Sequence, residues 1–413
     1  MSDQTTLERP VESDAAEQKT ASVDDKIVCQ IDGAMVHSIQ IYLKNNHPDW
    51  TMERYVREYP DAPVLSEYAK QLVARKAAEA ATPAPAAPAS IQANLTTVAL
   101  TTKNAVFHDL FELGNAPAAL NAQGKPINVT TLEGHDDQSL VYLPEIDKGF
   151  VFNIDLLKKV IVGFELNMPT YLWGFHGTGK TTILEQAAAR TRRPFIRVQH
   201  TINMQESDIL GQWTVRDGST IFQLGPLPMA MINGWVYCAD EYDFSMPSVL
   251  AVYQPVLEGK ALLIKDAPPQ YRKIEPNPNF RFTATGNTNG VGDETGLYQG
   301  TLVQNAANYS RFKITEEVEY MEAKIEESVV MGRAGIGRQD ATRIVKFANE
   351  VRKMFREGKL TMTVSPRELI TAALLGKAFG GNWPVGIELA FSNRLSRVDK
   401  RTVAEYMQRV FGA

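Results

Sequence analysis

Residues Gly174-Phe175-His176-Gly177-Thr178-Gly179-Lys180-Thr181 fit the pattern G-x-x-x-x-G-K-[ST] and directly follow the apolar run Tyr171-Leu172-Trp173. A buried strand that runs into a glycine-rich turn and then a helix needs a covered sheet around it, so this juxtaposition constrains the chain to an α/β fold. Glycines at 174, 177 and 179 let the backbone turn its N–H groups inward, and the helix starting near Lys180 aims its positive dipole end at the same point. That arrangement binds phosphate. Lys180 is expected to reach the β and γ phosphates of ATP and Thr181 to place its hydroxyl on Mg²⁺, while Leu184 faces the sheet. The residues expected to cradle the nucleotide are Gly174, His176, Gly177, Thr178, Gly179, Lys180, Thr181 and Thr182. A chance Gly-Lys-Thr turn is the competing reading, and the strand before it and helix after it speak against chance.

Three further segments supply groups for hydrolysis. Trp235-Val236-Tyr237-Cys238-Ala239 is a continuous apolar strand that ends in Asp240-Glu241. Asp240 is placed to hold Mg²⁺ through water and Glu241 to polarise the attacking water. A surface Asp-Glu pair is common, but this one lies about sixty residues after the phosphate loop, where the hydrolytic reading is favoured. Another strand, Phe280-Arg281-Phe282-Thr283-Ala284-Thr285, ends at Gly286-Asn287, where Asn287 either orients the lytic water or forms a simple turn. Arg311 follows a long polar loop and suits a finger to a neighbouring subunit's γ-phosphate. Arg367 opens a helix whose N-cap is Ser365 and whose first residue is Pro366. Each arginine alone reads more readily as a surface residue than a catalytic one; their order and spacing after the other motifs reverse that and favour catalysis.

The chain has 413 residues, 44% of them hydrophobic, and a net charge of −5, which gives no global drive toward nucleic acid. No apolar run approaches the ~20 residues of a membrane span, and the polar, acidic start does not resemble a signal peptide, so a cytoplasmic location without membrane contact is expected. The two cysteines, Cys29 and Cys238, are expected as free thiols. Composition divides the chain into a disordered tail (1–24), a small helical module (25–76), an Ala/Pro linker (77–95), a pre-core segment (96–140), an α/β core with a mostly parallel sheet (141–335) and a helical lid (336–413). Arg216-Asp217-Gly218 signals a hairpin with a type I′ turn, and a second hairpin is expected from about Leu262 to Ile274.

The phosphate loop, together with Phe195-Ile196-Arg197-Val198, Asp208-Ile209-Leu210-Gly211, Asp240-Glu241-Tyr242-Asp243, Pro278-Asn279-Phe280-Arg281-Phe282, Gly292-Asp293-Glu294-Thr295-Gly296-Leu297-Tyr298-Gln299-Gly300, Ser365-Pro366-Arg367 and the run from Val403 to Arg409, closely resembles the CobS-type cobaltochelatase ATPase subunits. Those belong to the MoxR branch of AAA+ ATPases. The resemblance spans about residue 140 to the C-terminus, and its Gly-Asp-x-Thr-Gly-Leu-Tyr loop is more specific than a phosphate loop alone. It implies an AAA+ parallel-sheet core with a C-terminal helical lid, a homo-hexameric ring with sites at subunit interfaces, and a von Willebrand A-type (CobT-like) partner protein. It further implies that Asp240 and Glu241 are the Walker B pair, Asn287 sensor 1, Arg311 the finger and Arg367 sensor 2. In the family an Asp precedes the finger; here Ser310 stands there. The Asp-Gly hairpin matches the position of the pore-facing helix-2 insert of that branch, the other reading being that both hairpins merely decorate the surface.

Cys29-Gln30-Ile31-Asp32 followed by Leu43 and His47 resembles a degenerate zinc finger in which Asp32 and Tyr42 stand at two ligand positions. Tyr is not a zinc ligand, so no zinc is expected and the module reads as a repacked helical docking arm for a partner. The leading function is an ATP- and Mg²⁺-dependent ring motor that remodels a partner protein, cobalt chelation being one such role. The alternative is a DNA-associated translocase or nucleotide-gated binding module that uses residues 25–76, and the acidic balance counts against it.

Overall fold

The computed structural model describes residues 25–71 and 100–412, so the expected tail and the Ala/Pro linker lie outside the described residues. The chain divides into two compact units, 1–95 and 96–413.

The first unit is not wholly helical. Strands β1 (Ile27–Val28) and β2 (Met35–Val36) pair antiparallel, with Gly33 at φ 77° closing the turn between them. Helices α1 (Ile39–Asn46), capped by Ser38, and α2 (Met52–Glu58), capped by Thr51, follow. The strands escaped the helical expectation because two residues each are too short to show an alternating pattern. Cys29, Ile39, Leu43 and Tyr55 form the small core. The finger-like positions meet around one carboxylate: Asp32 Oδ2 accepts from Tyr42 Oη at 2.7 Å and pairs with His47 Nε2 at 2.8 Å, and Oδ1 accepts from Ala34 N at 3.1 Å. These bonds, His47 foremost, hold the Asp32 carboxyl well below the usual carboxylate range. His37 lies outside this node and bonds Ser66 at 2.9 Å.

The second unit begins with an antiparallel pair, β3 (Thr101–Val106) and β4 (Asn128–Glu133). This pre-core segment is part of the core: Phe107, Phe111 and Val129 share one apolar cluster with α3 (Ile154–Glu165) and α4 (Lys180–Arg190). A five-stranded parallel sheet follows, containing β5 (Thr170–Trp173), β6 (Phe195–Gln199), β9 (Val236–Asp240), β12 (Arg281–Gly286) and β13 (Ile314–Glu317) in the order β13-β5-β12-β9-β6. Alternation explains its two cores. Leu172, Val236 and Cys238 enter the cluster beneath α3 and α4, while their neighbours Tyr171, Tyr237 and Ala239 enter the opposite one with Phe282 and Ala284.

Both hairpins form. Helix α5 (Glu206–Leu210) leads into β7 (Gly211–Arg216) and β8 (Ser219–Leu224), with Asp217 and Gly218 at φ 52° and 75° as a type I′ turn requires, and α6 (Pro226–Asn233) returns to the sheet. Strands β10 (Leu262–Leu263) and β11 (Lys273–Ile274) make the second. After β12 a long loop leads to the short α7 (Ala306–Tyr309), which precedes Arg311.

The helical bundle comprises α8 (Ala323–Ala334), α9 (Arg338–Arg356), α10 (Pro366–Ala378), α11 (Trp383–Ala390) and α12 (Arg397–Phe411). It starts earlier than the boundary expected at 335/336. Val330 and Ala334 of α8 pack with Ile344, Phe347 and Leu369, so α8 belongs with the bundle although Gly335, at φ 60°, ends it where the sequence suggested a break. No helix among the described residues is long and apolar enough to cross a membrane.

Candidate functional site

The sheet brings the ends of β5, β9 and β12 side by side, and the loop after β5 wraps the start of α4. Gly177 and Gly179 sit at φ 71° and 88°, and Gly179 leaves the first turn of α4 without a side-chain cap. Lys180 is folded into its own loop, donating to Gly174 O at 2.7 Å and Phe175 O at 2.9 Å, with Asn287 Oδ1 at 3.5 Å. Burial disfavours its ammonium and lowers its pKa to about 8, against the pull of Asp243, Asp240 and Glu241. Thr178 is pinned by its hydroxyl to Phe175 O at 2.8 Å.

Asp240 is buried at the tip of β9. Its Oδ1 accepts from Thr181 Oγ1 at 2.6 Å and Thr285 Oγ1 at 2.5 Å, and its Oδ2 accepts from Arg197 Nε at 2.8 Å. Burial pushes the carboxyl up, but the two hydroxyls and the Arg197 guanidinium outweigh it and the net direction is down. Glu241 stands in the left-handed region at φ 54°, a conformation that costs a non-glycine residue about 1–3 kcal/mol and turns the side chain off the strand. It accepts from Gln199 Nε2 at 3.2 Å.

Asn287 follows β12, and its N–H donates to Asp243 Oδ2 at 2.9 Å, as do Thr288 N at 2.8 Å and Thr288 Oγ1 at 2.9 Å. Arg367 enters from the bundle. Ser365 and Glu368 form a capping box at the start of α10, and a Cβ built on Gly177 would lie 2.7 Å from the Ser365 Cβ, so this helix start abuts the phosphate loop. Gly177, Gly179, Thr182 and Arg367 line a shared cavity of about 240 Å³. Beside it a larger cavity of about 590 Å³, lined by Phe150, Phe152, Thr178, Gly179, Tyr320 and Met321 among others, has room for a nucleotide's base and sugar. Arg311 is not in this group. It pairs with Glu258, Nε to Oε1 at 2.7 Å, so a carboxylate from another part of the fold bonds it although Ser310 precedes it.

The residues present fit a magnesium-bound triphosphate. A glycine cradle opens onto an uncapped helix start, the hydrogen-bond partners of the buried Lys180 among the described residues are its loop's carbonyls and an amide oxygen, and Thr181 and Asp240 meet as a hydroxyl and a carboxylate that would hold a divalent cation. Sequence reasoning singled out no role for Arg197 or Asp243. Arg197 is found only through the register that sets it opposite Cys238 on β9, two residues short of Asp240.

The AAA domain (dynein-related subfamily) model matches residues 169–312, and the CbbQ/NirQ/NorQ C-terminal model matches 326–413. The chain is 35% identical over 281 residues to the aerobic cobaltochelatase subunit CobS of Sinorhizobium sp, covering 66% of this chain and 83% of that one. It is 26% identical over 273 residues to the protein NorQ of Paracoccus denitrificans, covering 66% and 94%. Among solved structures, the Thermotoga maritima RuvB Holliday junction branch migration motor aligns with TM-score 0.37 at 14% identity over 65% of this chain and 72% of that one, so the assignment rests on the sequence relatives. With both family models placed in order and a CobS relative at this identity, the chain belongs to the CobS-like, MoxR-type AAA+ ATPases.

Proposed function

We propose that this chain hydrolyses Mg²⁺-ATP as a homo-hexameric ring in the cytoplasm and uses the energy to remodel a partner protein. Its likeness to CobS makes the ATPase subunit of a cobaltochelatase-like complex, working with a von Willebrand A-type protein, the form of that role we favour. The observation that carries the reading is that the phosphate loop and the start of its helix meet three other segments: Lys180 approaches Asn287, Thr181 bonds Asp240, and Gly177 abuts Ser365 at the start of the Arg367 helix.

Each residue then has a task. Lys180 leaves its loop carbonyls to neutralise the β and γ phosphates, which restores its ordinary basicity. A magnesium ion at the meeting point of Thr181 and Asp240 would supply positive charge against the negative charge that builds on the phosphates. Asp240 and Thr181 hold that position. Glu241, half-exposed at the strand tip, accepts a proton from the attacking water, and Asn287 orients it. Arg367 brings positive charge from the lid. Arg311, held outward by Glu258, acts on the neighbouring subunit's γ-phosphate. Lys180→Ala should leave hydrolysis undetectable in a phosphate-release assay. Turnover at the wild-type rate in that variant would remove the assignment.

A further inference from the structure

The loop 290–304 is the most specific sequence feature of the chain, and the site described so far does not use it. Gln304 N donates to Gly290 O at 2.8 Å and closes the loop at its base, so it begins just after Asn287 and ends just before α7 and Arg311. Asp293 fixes its far side, accepting from Thr295 N at 2.9 Å, Thr295 Oγ1 at 2.8 Å and Tyr298 N at 2.7 Å. That bracing delivers the Tyr298 hydroxyl to the phosphate loop. Its Oη accepts from His176 N at 2.9 Å and lies 3.2 Å from His176 Nδ1.

Both contacts are satisfied at once if the hydroxyl accepts from the amide and donates to the ring. Burial pushes the Tyr298 phenol up, which keeps that proton in place. The imidazole then carries its own proton on Nε2, which faces Glu368 Oε2 at 3.9 Å. Glu368 belongs to the capping box of α10, accepting from Ser365 N at 2.6 Å, and is further paired with Arg394. A line of polar groups therefore runs from the loop through the phosphate loop toward the helix that carries Arg367, its last step being the 3.9 Å approach of His176 to Glu368.

We propose that Tyr298 is a positioning residue, which fixes the phosphate loop through the His176 amide and, by fixing the proton of the His176 ring, turns its Nε2 toward Glu368 at the start of α10. The inference rests on the nucleotide-binding reading above. Without the hydroxyl, the His176 amide loses its partner and the loop must be ordered by the nucleotide itself, so binding weakens.

The test titrates a fluorescent non-hydrolysable ATP analogue and fluorescent ADP onto the full chain, wild type against Tyr298→Phe, which keeps the ring and its packing. We expect about fivefold weaker binding of both nucleotides, the scale of one neutral hydrogen bond, with an unfolding midpoint close to wild type. Combining Tyr298→Phe with Glu368→Gln should give affinities at least about twofold from the product of the single effects, because the two side chains act through His176. Unchanged or tighter binding by a folded Tyr298→Phe protein overturns the proposal, as does strict multiplicativity in the double variant. Failure of the wild-type chain to bind either nucleotide would instead remove the nucleotide reading itself.

Discussion

The phosphate-loop site and the Asp32 node of the N-terminal module are both small clusters of polar side chains, and they differ in how their hydrogen bonds are satisfied. Around Asp32, both carboxylate oxygens have settled protein partners in Tyr42, His47 and Ala34, and those bonds hold the charge firmly in place. Around Lys180 the partners are neutral oxygens of its own loop and of Asn287, and burial leaves its ammonium poorly stabilised. A saturated node holds a fold together, whereas an unbalanced one waits for a ligand. In the finger-like module a carboxylate joins the positions that a zinc finger would use for metal, while in the core the Lys180 ammonium is bonded to neutral oxygens and lies in reach of only the longer-range pull of Asp243, Asp240 and Glu241.

The sharpest break between the two would come at Glu241. Glu241→Gln should bind ATP as wild type does yet turn over at least ~100-fold slower, since only the proton-accepting group is lost. Near-normal turnover would show that the left-handed turn at this residue serves structure alone. At the other node, the full chain purified from zinc-containing medium should hold well under stoichiometric metal. Asp32→Cys combined with Tyr42→His should raise this to about one zinc per chain, by restoring sulfur and nitrogen ligands at two positions. Wild-type protein that already carries stoichiometric, chelator-removable zinc would contradict the carboxylate bridge.

A smaller effect should appear with pH. The Lys180 pKa lies near 8 in the free protein, against an ordinary 10.5. Bound phosphates favour the charged form, so binding takes up a proton above about pH 8 and affinity falls as pH rises through that window, by no more than about tenfold per unit. Calorimetry in buffers of different ionisation enthalpy reads the proton directly. Release of a proton on binding, or none, would argue against burial as the source of the lowered value.

What the sequence revealed was what is encoded locally. The phosphate loop, the apolar strand before Asp240-Glu241, the Asp217-Gly218 turn and the Ser365-Pro366 helix start are each a few contiguous residues with one conformational solution. The contacts it concealed join residues far apart in the chain: Arg197 with Asp240, Glu258 with Arg311, Asp243 with the Asn287 amide, and Tyr298 with His176. Such pairs depend on strand register and loop closure, which no local pattern carries. The strands of the first unit and the early start of the bundle at Ala323 were missed for related reasons. Two-residue strands have no period, and whether α8 packs on the core or on the bundle is settled by its tertiary partners.

In the ring proposed above, the site assembled in one chain is completed by Arg311 of the next. Mixing Arg311→Ala subunits, which keep the phosphate loop, with Lys180→Ala subunits, which keep the finger, tests it directly, because some interfaces in a mixed ring then pair two intact halves. Each variant alone should be nearly inactive, and the mixture should regain ATP hydrolysis that peaks at an intermediate ratio. Activity that never exceeds the sum of the separate variants, at any ratio and with subunit exchange verified, would contradict the shared site.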